Sequence, residues 1–318
     1  MPSSGPGTLA CVAVTDLRLH TLMTVHAHPD DESLGTGGTM ARAVAEGARV
    51  VLVTCTRGEL GEIVVPELDT PSNHRRLGDI RMGELEDAMD ELGVTEWENL
   101  GYRDSGMMGT PGNGDPRSFW QADLDEAIRR LVFLVRTHRP DVMTTYNEHG
   151  GYGHPDHIRT HQVAVGAFER AADPAWYPDQ LEGDAGLAPW APAKLYEQVI
   201  PASVREGMTD ALARIGRRSW WTPPETATPE ELAAWEERSA LLLVPDDHVT
   251  TWVDVSAHLE QKWRALARHV TQIASDNPVF VLGLDGWRRH WSREAFILRV
   301  SRVETSLPED DVFDDLPA

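Results

Sequence analysis

Two short segments of this chain carry histidine and carboxylate side chains in nearly the same order. Residues 28–32 (HPDDE) follow an apolar run, and residues 154–157 (HPDH) repeat much of the pattern later in the chain. Each segment offers two metal-type donors three residues apart, and three such donors with one open position are what a catalytic zinc ion requires. The pattern therefore indicates a hydrolytic metalloenzyme.

The side chains of these segments suit separate tasks. His28, Asp31 and His157 are candidates to hold one Zn²⁺, which leaves a fourth position for a water whose pKa the metal lowers toward about 7. Asp30 cannot easily face the same ion because adjacent side chains diverge, so it is the candidate general base beside that water. His154, one helical turn before His157, is placed to offer positive charge or a hydrogen bond to a developing oxyanion.

Each segment alone also has a simpler interpretation. Asp30, Asp31 and Glu32 are typical of a helix start, where the macrodipole favours acidic residues. Asp156 is either a carboxylate that orients a ligand histidine or the first residue of another helix. The presence of two such segments, each directly after a predicted strand, favours a metal site.

Strands and helices alternate around these segments. Apolar runs with β-branched residues predict strands at 22–26, 50–55, 96–100 and 141–146, and helical spacing predicts helices at 35–46, 76–92 and 122–136. We therefore predict an α/β fold with a doubly wound, mostly parallel, Rossmann-like sheet and helices on both faces. Ligands of such sheets gather at the carboxyl ends of the strands, which is where both motifs lie.

The chain divides into four predicted parts. They are a mobile extension (1–17), a zinc hydrolase core (18–172), a smaller C-terminal region that packs on the core and completes the substrate pocket (173–306), and a solvated acidic tail (307–318). In the C-terminal region we predict strands at 194–200 and 248–255 and helices at 203–215, 230–238 and 256–269. Several of its tryptophans could wall a substrate mouth, although core packing is expected for most of them.

Composition limits the partners. The formal net charge of −22 argues against nucleic acid and anionic membranes as partners and favours a small, neutral or cationic substrate. With only Cys11 and Cys55, the chain has no disulfide framework and suits a reducing cytoplasm. No secretory signal or membrane-spanning run is recognisable, and a homo-oligomer is compatible with the sequence.

The two motifs resemble those of the LmbE-like, or PIG-L-type, zinc N-deacetylases, and the likeness extends over residues 17–307. Within that family the chain is most similar to the actinobacterial mycothiol enzymes. Further matching segments are 25–28 (VHAH), 54–62 (TCTRGELGE), 103–106 (RDSG), 150–154 (GGYGH) and 269–272 (HVTQ).

The resemblance implies roles for individual residues. Zinc would be held by His28, Asp31 and His157, with Asp30 as general base and His154 as the electrophilic or general-acid partner. Tyr152 would help to polarise the amide carbonyl, and the sugar and inositol hydroxyls would be contacted by Arg81 and Asp104, with Glu62 near that pocket. Without the resemblance, Arg81 would be interpreted as a surface ion-pair residue and Tyr152 as loop packing.

Two activities of the family compete. Residues 64–71 (VVPELDTP), 143–146 (MTTY) and 287–307 favour hydrolysis of a mycothiol S-conjugate amide, which is our main prediction. The alternative is deacetylation of the N-acetylglucosaminyl-inositol precursor of mycothiol or of another N-acetyl sugar metabolite. Gly35 matches neither activity, because the resemblance leads us to expect lysine in the amidase and serine in the deacetylase.

Other classes of function fit less well. A non-catalytic sugar-binding accessory protein would retain the fold but would not need Asp30 beside the metal donors. A nucleotide-binding protein would need a Gly-rich phosphate loop after the first strand, and residues 35–38 (GTGG) lack the required spacing.

Overall fold

The computed structural model describes residues 17–182, 186–223, 225–241 and 243–317. The predicted mobile extension, apart from Leu17, lies outside the described residues. Within them no helix is both long and apolar enough to cross a membrane.

One seven-stranded sheet, in the order β3-β2-β1-β4-β5-β7-β6, forms the centre of the described chain. Strands β1 to β5 run parallel to one another, whereas β7 is antiparallel to both β5 and β6. The strands are β1 (Thr21–His26), β2 (Arg49–Thr56), β3 (Glu96–Tyr102), β4 (Val142–Tyr146), β5 (Lys194–Val199), β6 (Thr251–Asp254) and β7 (Arg293–Ser301). The mostly parallel sheet predicted from the sequence is confirmed, with an antiparallel edge added.

Helices cover both faces of the sheet. In the described residues they are α1 (Asp31–Gly35), α2 (Gly37–Ala45), α3 (Pro71–Arg75), α4 (Leu77–Leu92), α5 (Leu124–His138), α6 (Gly150–Gly153), α7 (Pro155–Arg170), α8 (Ala202–Arg214), α9 (Pro229–Leu241), α10 (Leu259–Leu266), α11 (Pro278–Val281) and α12 (Gly283–His290). One apolar cluster joins the sheet to α2, α4 and α10, and the other joins it to α5 and α7. Every residue of β1 is buried, as expected for a strand covered on both faces.

The strand order explains why distant motifs meet. Strand β1 lies between β2 and β4, so the direction of the chain across the sheet reverses at the β1–β4 pair. Loops leaving the carboxyl ends of two such strands diverge to opposite faces and open a crevice. Residues 28–32 follow β1 and residues 154–157 follow β4, so both segments line this crevice.

The C-terminal region continues the same sheet through β5, β7 and β6, and α10 packs against α2 and α4. Its predicted strands and helices are found close to their predicted bounds, whereas β7 was not predicted. The division of the chain at residues 172 and 173 stays a prediction.

The chain end is not the solvated acidic tail that we predicted. Val312 and Phe313 are buried in the apolar cluster, and Glu309 is 2% exposed. The carboxylate of Glu309 lies 2.5 Å from Nζ of Lys194, which is itself fully buried. These contacts hold the acidic segment against the sheet.

Candidate active site

Three donor atoms form a nearly equilateral triangle at the crevice. Nδ1 of His28 lies 3.3 Å from Oδ2 of Asp31 and 3.3 Å from Nε2 of His157, and the last two atoms are 3.4 Å apart. Nitrogen and carboxylate ligands bind zinc at about 2.0–2.2 Å, which places the ligands of a tetrahedral ion about 3.3–3.5 Å from one another. The donors predicted from the sequence therefore have the spacing of three corners of a tetrahedral site.

Hydrogen bonds orient both histidines of the triangle. Nε2 of His28 lies 3.2 Å from Oδ2 of Asp156, and Nδ1 of His157 lies 3.2 Å from the carbonyl of Gly150. If each of these nitrogens donates its proton there, the other ring nitrogen presents its lone pair to the triangle. Asp156 is held in turn by the backbone N–H and the hydroxyl of Ser105.

Position 150, at the start of α6, requires a glycine. Its φ is 63°, in the left-handed region, and a Cβ there would lie 2.7 Å from Cβ of His157. A side chain at this position would push the turn away from the ligand histidine, so the glycine permits the contact between its carbonyl and Nδ1.

The surroundings favour a cation. Burial alone lowers the pKa of His28, but hydrogen bonds with Asp156 and Asp31 outweigh burial and raise that pKa well above its usual value. The pKa of Asp31 is held well below its usual range by His157 and His28, against the opposing effect of burial. A second carboxylate is also close, because Oδ1 of Asp104 lies 3.7 Å from Nε2 of His28.

His154 differs from the two histidines of the triangle. It caps α7, with its Nδ1 accepting a hydrogen bond of 3.1 Å from the backbone N–H of Asp156. Burial and the neighbouring His28 and His157 lower its pKa to about 3. His154 is therefore a neutral ring with its proton on Nε2. His28, His154 and His157 also form a buried group that could hold a metal, but the occupied Nδ1 and protonated Nε2 favour Asp31 as the third donor.

Asp30 lies beside the triangle in a strained conformation. Its φ is 113°, which non-glycine residues rarely adopt, and its side chain remains 22% exposed. Burial raises the pKa of Asp30 to about 6, against the opposing charge of Arg81, whose Nη2 donates to Oδ2 at 3.1 Å. A carboxylate with this pKa suits proton transfer near neutral pH.

Glu32 and His269 support Asp30, although neither had a role predicted from the sequence. Oε2 of Glu32 accepts the backbone N–H of Asp30 at 2.9 Å, while Oε1 accepts from the Ser33 hydroxyl at 2.6 Å and lies 2.9 Å from Nε2 of His269. Glu32 is fully buried, which by itself would raise the pKa of its carboxyl. The neighbouring His269 outweighs burial and lowers the pKa of Glu32 to about 2. The family resemblance over residues 269–272 is the one sequence signal for this histidine.

The residues expected to bind sugar hydroxyls lie in different surroundings. Arg81 is buried instead of forming a surface ion pair, and it donates to the carbonyls of Pro29 at 2.5 Å and Gly58 at 2.9 Å. Asp104 is also buried and accepts two backbone N–H groups, while Glu62 is exposed. Contact of these three side chains with substrate stays a prediction.

A cavity of about 410 Å³ opens beside the triangle. Its lining includes Asp31, His157, Tyr152 and four tryptophans from the C-terminal region (Trp220, Trp221, Trp235 and Trp291). Tyr152 is 51% exposed, with its ring 4.8 Å from that of His157. Trp287, by contrast, is fully buried in the core. Part of the tryptophan set therefore faces the cavity.

The fold and the donor group together define a class: an α/β protein whose sheet holds a buried histidine and carboxylate group that could bind a metal ion. The model of the PIG-L family, described as GlcNAc-PI de-N-acetylase, matches residues 23–168. A protein of Geodermatophilus obscurus named 1D-myo-inositol 2-acetamido-2-deoxy-alpha-D-glucopyranoside deacetylase is 46% identical, over 93% of this chain and 98% of its own. A protein of Streptomyces scabiei with the same name is 42% identical over 100% and 95%.

Solved structures agree on the fold. The N,N'-diacetylchitobiose deacetylase of Pyrococcus horikoshii superposes with a TM-score of 0.58 at 20% identity, covering 87% of this chain and 83% of its own. A conserved protein of Thermus thermophilus gives a TM-score of 0.54 at 23% identity, covering 89% and 96%.

The chain belongs to the PIG-L, or LmbE-like, family, and it is a hydrolase that acts on an amide bond. Both named relatives are deacetylases of an N-acetylglucosaminyl-inositol. They favour the alternative activity predicted from the sequence over our main prediction, the S-conjugate amidase.

Proposed function

We propose that this protein is a Zn²⁺-dependent deacetylase that hydrolyses the acetamide of the N-acetylglucosaminyl-inositol precursor of mycothiol. The observation that carries the proposal is the triangle of donor atoms on His28, Asp31 and His157, with the carboxylate of Asp30 beside it. The names of relatives that match nearly the whole chain support the choice of substrate.

Zinc at the triangle would supply a Lewis acid that lowers the pKa of water and polarises the amide carbonyl. Asp30 accepts the proton of the attacking water. Since Arg81 holds Oδ2, the other carboxylate oxygen, Oδ1, is the atom that receives it. The same proton then passes to the departing amine, which leaves as the free amino sugar while acetate is released.

His154 acts on the carbonyl oxygen. Because its ring is neutral and its Nδ1 is engaged at the start of α7, Nε2 donates a hydrogen bond to the oxygen as negative charge develops there. Tyr152, half-exposed at the cavity, is placed to add its hydroxyl as a second donor.

The exposure of Glu62, Arg81 and Asp104 indicates which of these side chains is free to contact the substrate. Glu62 is exposed, so its carboxylate is free to contact a sugar or inositol hydroxyl, as the family resemblance implies. Arg81 and Asp104 form hydrogen bonds within the protein, so Arg81 contributes chiefly by holding the carboxylate of Asp30.

We place the reaction in a reducing cytoplasm. Burial raises the pKa of the Cys55 thiol to about 12, so this thiol stays inert.

The choice of substrate is tested by comparing initial rates on N-acetylglucosaminyl-inositol and on a mycothiol S-conjugate, with detection of the amine product. We expect the higher kcat/KM for the acetyl precursor. A strong preference for the conjugate would reject this proposal and restore the amidase prediction.

The metal assignment has a separate test. Removal of metal by a chelator should abolish amine release, and one equivalent of Zn²⁺ should restore it. Activity that is indifferent to the chelator would remove the metal from the mechanism.

A further inference from the structure

Ser105, in the loop after β3, holds the carboxylate of Asp156 in place. Its backbone N–H donates to Oδ2 of Asp156 at 2.9 Å, and its hydroxyl forms a hydrogen bond with Oδ1 of the same carboxylate. Both side chains are fully buried. Because Asp156 lies in the first turn of α7, 51 residues further along the chain, these two hydrogen bonds tie the loop after β3 to the start of that helix.

The backbone of Trp120 sets the direction of the hydrogen bond from the hydroxyl. The N–H of Trp120 donates to Oγ of Ser105 at 2.9 Å, so Oγ is the acceptor in that contact. A hydroxyl has one proton, and the proton of Ser105 is therefore left for Oδ1 of Asp156. With both donors supplied by Ser105, the carboxylate remains an acceptor for Nε2 of His28, which lies 3.2 Å from Oδ2.

A second acceptor competes for the same ring nitrogen. Oδ1 of Asp104 lies 3.7 Å from Nε2 of His28, and a small turn of the ring would bring the two atoms within hydrogen-bond distance. The same turn would displace Nδ1 of His28, which lies 3.3 Å from both of the other donor atoms of the triangle. The orientation of this ring therefore depends on where the carboxylate of Asp156 is held.

The position of Ser105 is fixed by its own loop. Nδ2 of Asn113 donates to the carbonyl of Ser105 at 2.8 Å, and a Cβ on Gly112 would lie only 2.5 Å from that carbonyl oxygen. The side chain of Ser105 does not line the cavity beside the triangle, and within the described chain its hydrogen bonds go to Asp156 and Trp120. Its contacts therefore serve the protein around the triangle and not a ligand in the cavity.

We propose that Ser105 is a positioning residue that sets the affinity of the triangle for Zn²⁺ through Asp156 and His28. It holds the carboxylate of Asp156 where Nε2 of His28 donates to it, and this contact directs the lone pair of Nδ1 to the metal. The inference rests on the proposed zinc site but not on the choice of substrate.

The main test is the dissociation constant for Zn²⁺ of Ser105→Ala, a variant that loses the hydroxyl and keeps the backbone N–H. Metal-free protein is titrated with Zn²⁺ in competition with a chromophoric chelator, so the measurement needs no turnover. We expect Kd to rise about 10-fold, because Asp156 keeps one of its two contacts with residue 105. With zinc at saturation, KM should be unchanged, since Ser105 does not line the cavity.

Ser118→Ala is the matched control. Ser118 is also fully buried, and its backbone pairs with that of Arg103, two residues before Ser105. Its Oγ finds no hydrogen-bond partner in the part of the chain that the structure describes. Removal of this hydroxyl should leave the Kd for Zn²⁺ at the value of the unaltered protein.

An unchanged Kd in Ser105→Ala would overturn the inference. If the Tm of the metal-free variant fell at the same time, the hydroxyl would serve the stability of the fold alone. Failure of the unaltered protein to bind Zn²⁺ would reject the proposed function together with the inference. Normal binding by the unaltered protein with an unchanged Kd in the variant would reject the inference alone.

A double variant tests whether the effect passes through Asp156. Asp156→Ala removes the carboxylate between Ser105 and His28 and should raise the Kd for Zn²⁺ about 10–100-fold. Addition of Ser105→Ala to Asp156→Ala should raise Kd little further, because the carboxylate through which the hydroxyl acts is already gone. Rises in Kd that multiply fully would show that Ser105 acts by another route and would contradict the inference.

Discussion

At the scale of single residues, the three neighbouring carboxylates of residues 30–32 differ in their pKa because they differ in their contacts. Asp31 faces two histidines, which hold its pKa far below the usual range. Asp30 pairs with Arg81, is partly exposed, and has a raised pKa of about 6. Glu32 faces the interior and holds the backbone N–H of Asp30. We therefore propose that Asp31 is the metal ligand, that Asp30 is the base and that Glu32 positions Asp30.

Glu32→Gln tests the positioning role. A glutamine would remove the negative charge that pairs with His269, and its NH₂ group would face either the Asp30 N–H, with which it cannot bond, or Ser33 and His269, which would have to turn from donors into acceptors. We expect kcat to fall about 100-fold through misplacement of Asp30, with KM and zinc content nearly unchanged. Glu46→Gln, at the exposed end of α2, is the control.

Wild-type kcat in Glu32→Gln would show that the strained backbone of Asp30 does not depend on this contact. Loss of zinc from the variant would instead show that Glu32 supports the ligands as well as the base.

At the scale of elements, α7, which carries His157 in its first turn, packs against α5. Gly166 of α7 provides the close approach, because a Cβ there would lie 2.5 Å from Cδ1 of Ile128. We expect Gly166→Ala to lower the free energy of unfolding by about 1–3 kcal/mol, since the core must shift. Gly83→Ala, in α4 with nothing within 4 Å of the added methyl, should raise it by up to about 1 kcal/mol.

Chemical denaturation of the two variants measures both effects. Equal and small changes in the free energy of unfolding would mean that the contact between α5 and α7 can shift without loss of stability.

Elements with a strong local pattern were predictable, and contacts between distant elements were not. The alternation of strands and helices up to residue 146 predicted the parallel sheet, and the sheet edge then brought the two motifs together. Strand β7 was missed because Glu294 and Arg299 interrupt its apolar pattern, and its pairing depends on β5 and β6. Glu32 and His269 contact each other across 237 residues of sequence, which no local pattern encodes.

At the scale of the whole molecule, the chain end belongs to the core. Its acidic composition predicted a solvated tail, but composition does not reveal that Lys194 is a buried countercharge for Glu309. The hydroxyl of Tyr196 donates to the same carboxylate at 2.7 Å. Val312 and Phe313 then complete one apolar cluster.

Truncation after Ser306 tests this attachment. It would remove the carboxylate that pairs with Lys194 together with the apolar side chains of Val312 and Phe313, and a charge that stays buried without its partner costs about 3–5 kcal/mol. We expect a clear fall in Tm, partly reversed by adding Lys194→Met to the truncated chain. An unchanged Tm would return the segment to the role of a solvated tail.

The central claim is that one set of residues binds the metal while Asp30 moves the proton, and Asp30→Asn tests it most directly. The measurement is amine release from N-acetylglucosaminyl-inositol by the zinc-loaded variant, with zinc content determined on the same sample. We predict full zinc content with kcat lowered by about 10²–10⁴-fold, because asparagine keeps the shape of the side chain but cannot accept the proton. Loss of zinc, or turnover close to that of the unaltered enzyme, would contradict the account.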